Sequence, residues 1–82
     1  MNEHELRSVI YRCVSKRLTG VMLNAPAPRS GIHGRRIRTP FGLCEVISGD
    51  EHGRVNFFCD LPKLKKYLER LKAERRRAEE NQ

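Results

Sequence analysis

The apolar positions of this chain change period twice. Leu6, Val9, Ile10, Cys13, Val14 and Leu18 recur at intervals of three and four, the spacing that lines one face of an α-helix. A helix over 3–19 follows. Asn2 can cap its first turn, and Glu5 stands where a capping box places its acid. Gly20 can take the left-handed conformation that closes a helix. Arg7, Arg12 and Lys16 occupy the opposite, solvated face.

Residues 20–34 lose any period. "NAPAPRSGIHG" holds prolines, glycines, Asn24 and Ser30, so 20–34 is expected to be a loop. Beyond it the apolar period becomes two. "Thr39-Pro40-Phe41-Gly42" suits a tight turn, with Pro at its second position and Gly at its fourth. A proline would also remove a ladder bond from a central strand. Two strands are therefore expected, Arg35 to Arg38 and Leu43 to Ser48. "GDEHG" makes a further turn, and "RVNFFCD" is a third strand, rich in aromatic and β-branched residues. The sheet region is 35–60.

Residues 61–80 return to helical spacing, with Leu61, Leu64, Leu68 and Leu71 in a stripe beside Tyr67. Asp60 can cap this helix, and Pro62 is tolerated in its first turn. The stripe ends at Leu71, leaving a charged tail. The expected fold is α+β: an N-terminal helix, a three-stranded antiparallel β-meander and a C-terminal helix, in one small basic domain over 1–82.

Alternation sorts the sheet into two faces. With Pro40 and Phe41 as the hairpin loop, Arg38 opposes Leu43, Ile37 opposes Cys44 and Arg36 opposes Glu45. A three-residue loop with a bulge would move Ile37 to the other face. The unshifted register is preferred because it keeps Arg36 and Arg38 out of the core, where unpaired charge is costly. The second hairpin is expected to pair Ile47 with Arg54, Val46 with Val55, Glu45 with Asn56 and Cys44 with Phe57. One face then collects Ile37, Cys44, Val46, Val55, Phe57 and Cys59. Val14, Val46, Phe57 and Leu68 are expected to be buried. The other face collects Arg36, Arg38, Leu43, Glu45, Ile47, Arg54, Asn56 and Phe58.

Charge gives that second face its meaning. The chain of 82 residues carries a net charge of +7, with 33% charged and 38% apolar residues. This balance favours polyanions or an acidic protein surface. No apolar run approaches the ~20 residues that span a bilayer, so no membrane partner is expected. The N-terminus lacks the pattern of a signal peptide. Three widely spaced cysteines, Cys13, Cys44 and Cys59, suit free thiols in a reducing cytoplasm.

The strand–turn–strand–turn–strand–helix order, carried by "GIHGRRIRTPFG" and "RVNFFCDL" over Gly31 to Leu71, resembles the DNA-binding modules of AP2 domains and integrase arm-binding domains. The "WLGTF"-like signature of AP2 domains is absent, and the N-terminal helix is extra. The resemblance implies that Arg36, Arg38, Arg54 and Asn56 are groove-reading positions.

Little points to catalysis. No pair of cysteines or histidines has zinc-ligand spacing, and His33, Cys44, His52 and Cys59 read as core thiols and loop histidines. Glu45, Asp50, Glu51 and Asp60 would need a concave pocket to form a nuclease site. No phosphate-cradling glycine loop is present. No catalytic residue, metal or cofactor is expected.

The leading expectation is a small nucleic-acid-binding module, with DNA favoured over RNA. Arg35, Arg36, Arg38 and Arg54 would contact phosphates or base edges, with Asn56 as a base reader. Lys63, Lys66 and Arg70 on the last helix, and Arg75, Arg76 and Arg77 in its tail, would add phosphate contacts. The rival is an adaptor or inhibitor of phage or plasmid type. It would dock Leu43, Ile47 and Phe58 on an acidic partner such as a nucleic-acid-processing enzyme.

Overall fold

A computed structural model describes residues 1–27, 35–49 and 52–81. Six elements follow in order: α1 (Glu3–Ser15), β1 (Gly20–Pro26), β2 (Arg36–Thr39), β3 (Gly42–Gly49), β4 (Arg54–Asp60) and α2 (Leu61–Glu80). The α+β class and the two terminal helices match the expectation. The sheet does not, because it has four antiparallel strands in the order β1-β4-β3-β2.

The additional strand, β1, lies where a loop was expected. Val21, Leu23 and Ala25 alternate with Met22 and Asn24, and they pack against the core from the inner side of the sheet. Two features hid the strand: the asparagine, and a proline at its end. Pro26 sits at the last position of an edge strand, where a missing N–H is tolerated. The rest of the expected loop, 28–34, lies outside the described residues, as do Asp50 and Glu51 of the second turn.

α1 stops four residues earlier than its periodicity suggested. Its end is a Schellman motif: Leu18 N–H donates to the Cys13 carbonyl at 2.9 Å and Arg17 N–H to the Val14 carbonyl at 3.1 Å. Arg17, at φ 55°, takes the left-handed position expected of Gly20. Gly20 serves another need. A Cβ there would lie 2.4 Å from the Cys59 carbonyl oxygen and 2.6 Å from Cζ of Phe58. The core is also corrected here: Val14 is 53% and Leu18 44% exposed. The buried stripe runs through Leu6 and Cys13, and Val14 and Leu18 fall past its edge.

α2 spans the residues expected of it. Asp60 caps it, its Oδ1 accepting from Lys63 N–H at 3.0 Å. The two helices lie antiparallel on the inner face. Leu61 N–H reaches the Thr19 carbonyl at one end, and Arg75 pairs with Glu3 at 3.1 Å at the other. Leu6 and Leu64 thus join Ile37, Cys44, Val55, Phe57 and Cys59 in one buried cluster. Val46 and Leu68, expected to be buried, are half-buried against it.

The first hairpin has the expected register, Arg36 opposite Glu45 through Thr39 opposite Gly42. Thr39 Oγ1 accepts from Phe41 N–H and donates to the Gly42 carbonyl, while Gly42 supplies the positive φ of 104°. The second hairpin is slipped. Glu45 faces Phe58 and Val46 faces Phe57, then a bulge at Ile47 brings Ser48 opposite Asn56 and Gly49 opposite Val55. Before the bulge the slip is two residues, one full period of the pleat, so the inward residues stay inward.

Candidate nucleic-acid interface

Both helices cover one side of the sheet, and the other is open. Cross-strand pairing sets its side chains in rows. One row runs Arg36, Glu45, Phe58, Met22 across all four strands. Another runs from Ser48 to Asn56 to Asn24. The face combines exposed cations with apolar side chains: Leu43 is 45%, Ile47 50% and Met22 57% exposed. Phe58 is half-buried because its ring lies over Gly20.

Three shallow depressions follow one another around the β2–β3 end of the sheet. The first, about 460 Å³, is lined by Arg36, Leu43, Glu45, Phe58, Asp60 and Lys63. The second, about 370 Å³, lies between Arg38, Thr39, Gly42 and Leu43. The third, about 300 Å³, runs between the Thr39–Gly42 turn and Lys63, Lys66, Tyr67 and Arg70 of α2. They adjoin through shared walls, Leu43, Thr39, Gly42 and Lys63, so Arg36, Arg38, Lys63, Lys66 and Arg70 form a track around this end of the sheet.

Local contacts build this track. Lys63 Nζ donates to the Leu43 carbonyl at 2.7 Å and lies 3.8 Å from Asp60 Oδ2. Phe41 folds back from the turn onto Tyr67, with ring centroids 4.6 Å apart, which presses the hairpin against α2. Lys63, Lys66 and Arg70 share one face of α2 because they are three and four residues apart. Arg70 also pairs with Glu74 at 3.2 Å, an exposed contact of small stabilising effect. Glu45 is the one acid in the row between Arg36 and Phe58, and its charge opposes anion binding there.

The other expected residues are distributed differently. Arg54 Nε donates to Asn24 Oδ1, Asn24 Nδ2 to Asn56 Oδ1 at 2.9 Å, and Asn56 Nδ2 to Ser48 Oγ at 3.1 Å. Asn56 is therefore already engaged with neighbours on both sides. Arg75 bridges to Glu3 at 3.1 Å and lies 3.9 Å from Glu79, tying the helices together. Arg76 and Arg77 are exposed on the last turns of α2, and Arg35 is exposed at the start of β2. Met22, Asn24 and Ser48 were not anticipated on this face. The alternation of Val21, Leu23 and Ala25 was the signal that would have placed the first two.

The thiols lie on the opposite side. Cys13, Cys44 and Cys59 are all buried and free. The Cys44 thiol lies beside that of Cys59, in hydrogen-bonding contact with it. Burial, reinforced by the adjacent Cys44, pushes the Cys59 thiol up to about 12. A thiol held neutral in this way is a poor nucleophile. Among the described residues no cluster of three or more His, Cys, Asp or Glu could hold a metal ion, and no helix is long and apolar enough to cross a membrane. No protein-family model, curated protein or solved structure matches this chain.

Proposed function

We propose that this protein binds nucleic acid without catalysing a reaction on it, with DNA favoured over RNA, in the cytoplasm. The observation that supports this reading is the track of Arg36, Arg38, Lys63, Lys66 and Arg70. Five cations along three adjoining depressions suit a phosphate backbone, which presents regularly spaced negative charge and releases counterions when neutralised. The Arg54–Asn24–Asn56–Ser48 network lies on the open face of the sheet, on the side of the track's Arg36 end. There it would orient Arg54 toward a groove edge. Arg35, Arg76 and Arg77 would add outlying phosphate contacts.

The exposure of Leu43 and Ile47 favours a second reading, an adaptor or inhibitor that docks Leu43, Ile47 and Phe58 on an acidic protein. Fluorescence anisotropy of a labelled duplex at ~50 mM salt separates the two, because non-specific phosphate contacts register at that salt. The nucleic-acid reading expects binding that weakens steeply with salt. A parent protein that leaves the duplex unbound would overturn it and leave the docking reading.

A further inference from the structure

The two edges of the sheet are built differently. β2 is a four-residue edge strand that carries Arg36 and Arg38. Short length and charge are the usual protection against pairing with another chain. β1, the opposite edge, has seven residues and no ionisable side chain. It lies within Leu18–Pro28, the longest uncharged stretch of a chain that is 33% charged. Among the described residues nothing pairs with its outer side.

The hydrogen-bond phase of β1 follows from its ends. Ala27 N–H donates to the Gly53 carbonyl, and the Thr19 carbonyl accepts from Leu61 N–H. Odd-numbered residues of β1 therefore direct their backbone groups toward β4, and Gly20, Met22 and Asn24 direct theirs to the open edge. Pro26 falls on the same phase, so its missing N–H would have pointed outward and deprives the monomer of no ladder bond.

We infer that β1 pairs antiparallel with β1 of a second copy of this chain, joining two sheets into one across a two-fold axis at Leu23. This register uses the whole of Gly20–Pro26. Met22 then faces Asn24 of the second copy, and the two exchange backbone bonds. Gly20 N–H donates to the carbonyl of Pro26 of the second copy, and because Pro26 has no N–H the return bond to the Gly20 carbonyl is absent at each end of the seam. On the inner side, Leu23 meets its own counterpart, and Val21 meets Ala25. The strand is its own complement: with the axis at Leu23 the outward groups of Met22 and Asn24 in one copy meet those of Asn24 and Met22 in the other in phase. Each copy carries +7, but β1 has no ionisable side chain, so no like charges meet along the seam. The contact is isologous and closes as a dimer. A seam of seven residues from each strand should bury less than the ~1,600 Å² of a standard interface, so a dissociation constant of about tens to a few hundred micromolar is expected. The contact does not depend on the nucleic-acid reading.

Sedimentation equilibrium of nucleic-acid-free protein from ~5 to ~500 µM tests the contact. The parent should pass from monomer to dimer, and raising salt should strengthen association by screening like charge. Met22→Pro removes an outward N–H that pairs with nothing among the described residues of the monomer, and should weaken the dimer at least tenfold. Met22→Lys, which places like charges beside the axis, should do the same without any change of backbone. Met22→Ile should dimerise as the parent does. A parent that stays monomeric throughout the range would overturn the inference. So would a dimer that Met22→Lys leaves unchanged, since the contact would then lie elsewhere.

Discussion

Phe57 and Phe58 are neighbours in sequence and lie on opposite faces of β4. Phe57 is 2% exposed, closed in by the helices and the cluster around Leu6 and Leu64. Phe58 lies over Gly20 on the open face, in a row with Arg36 and Glu45. The same side chain thus has two tasks, and which one it performs is set by strand parity alone. The inner face is nearly all apolar and covered. The outer face mixes cations, amides and apolar groups, a composition that the stability of the fold does not require.

The sharpest way to break this comparison is to truncate each ring. Phe57→Ala should cost about 3–5 kcal/mol, most of what a domain this small has in hand. In a urea melt the variant should be largely unfolded at the outset. Phe58→Ala should stay folded with a much smaller loss, since its ring is only half-buried. Equal losses at the two positions would show that the faces are not distinct.

Gly20 joins the faces, because the Phe58 ring and the Cys59 carbonyl both approach it closely. Gly20→Ala should destabilise by about 1–3 kcal/mol, the range for overpacking, read as a lower urea midpoint. An unchanged midpoint would mean that β1 does not lie against β4 as described.

The inner face can also be probed by pH. The Cys59 thiol is held at about 12 in the folded protein by burial beside Cys44, against ~8.5 for a free thiol. The unfolded chain therefore loses this proton first. Stability from the group is full below pH ~8.5 and is lost as pH rises toward 12, by up to ~1.4 kcal/mol per pH unit. The fall in urea midpoint between pH 8 and pH 10 should be steeper in the parent than in Cys59→Ala. Parallel falls would contradict a buried thiol.

The smallest expected effect lies at the end of α1. Arg17 holds a left-handed conformation that disfavours residues with a Cβ. Arg17→Gly should raise the midpoint by about 0.5–1 kcal/mol, the relief of strain being partly offset by the greater freedom of glycine when unfolded. A lowered midpoint would indicate that the arginine side chain makes a stabilising contact.

What could be read from the sequence was mostly local. The Thr39–Gly42 turn set the first hairpin because its chemistry is contained in four residues. Asp60 marked the start of α2 for the same reason. β1 was missed because its partner, β4, is distant in sequence, and its short alternation ends among prolines. The second hairpin slipped by two residues because a bulge at Ile47 has no sequence marker here, yet the face assignment survived. The cations of the candidate site were visible as residues. Their joining into one track was not, since it depends on Phe41 packing against Tyr67 and Lys63 bonding to the Leu43 carbonyl.

The central claim is that the track from Arg36 to Arg70 neutralises phosphates. A salt titration of duplex binding tests it on the parent and on the combined Arg36→Ala, Arg38→Ala, Lys66→Ala variant. These side chains are exposed, so the fold should persist, with changes usually below ~0.5 kcal/mol at each position. The slope of log affinity against log salt should shrink by about 0.9 for each phosphate that the variant no longer neutralises. A folded variant that binds with the parent's affinity and the parent's slope would contradict the account.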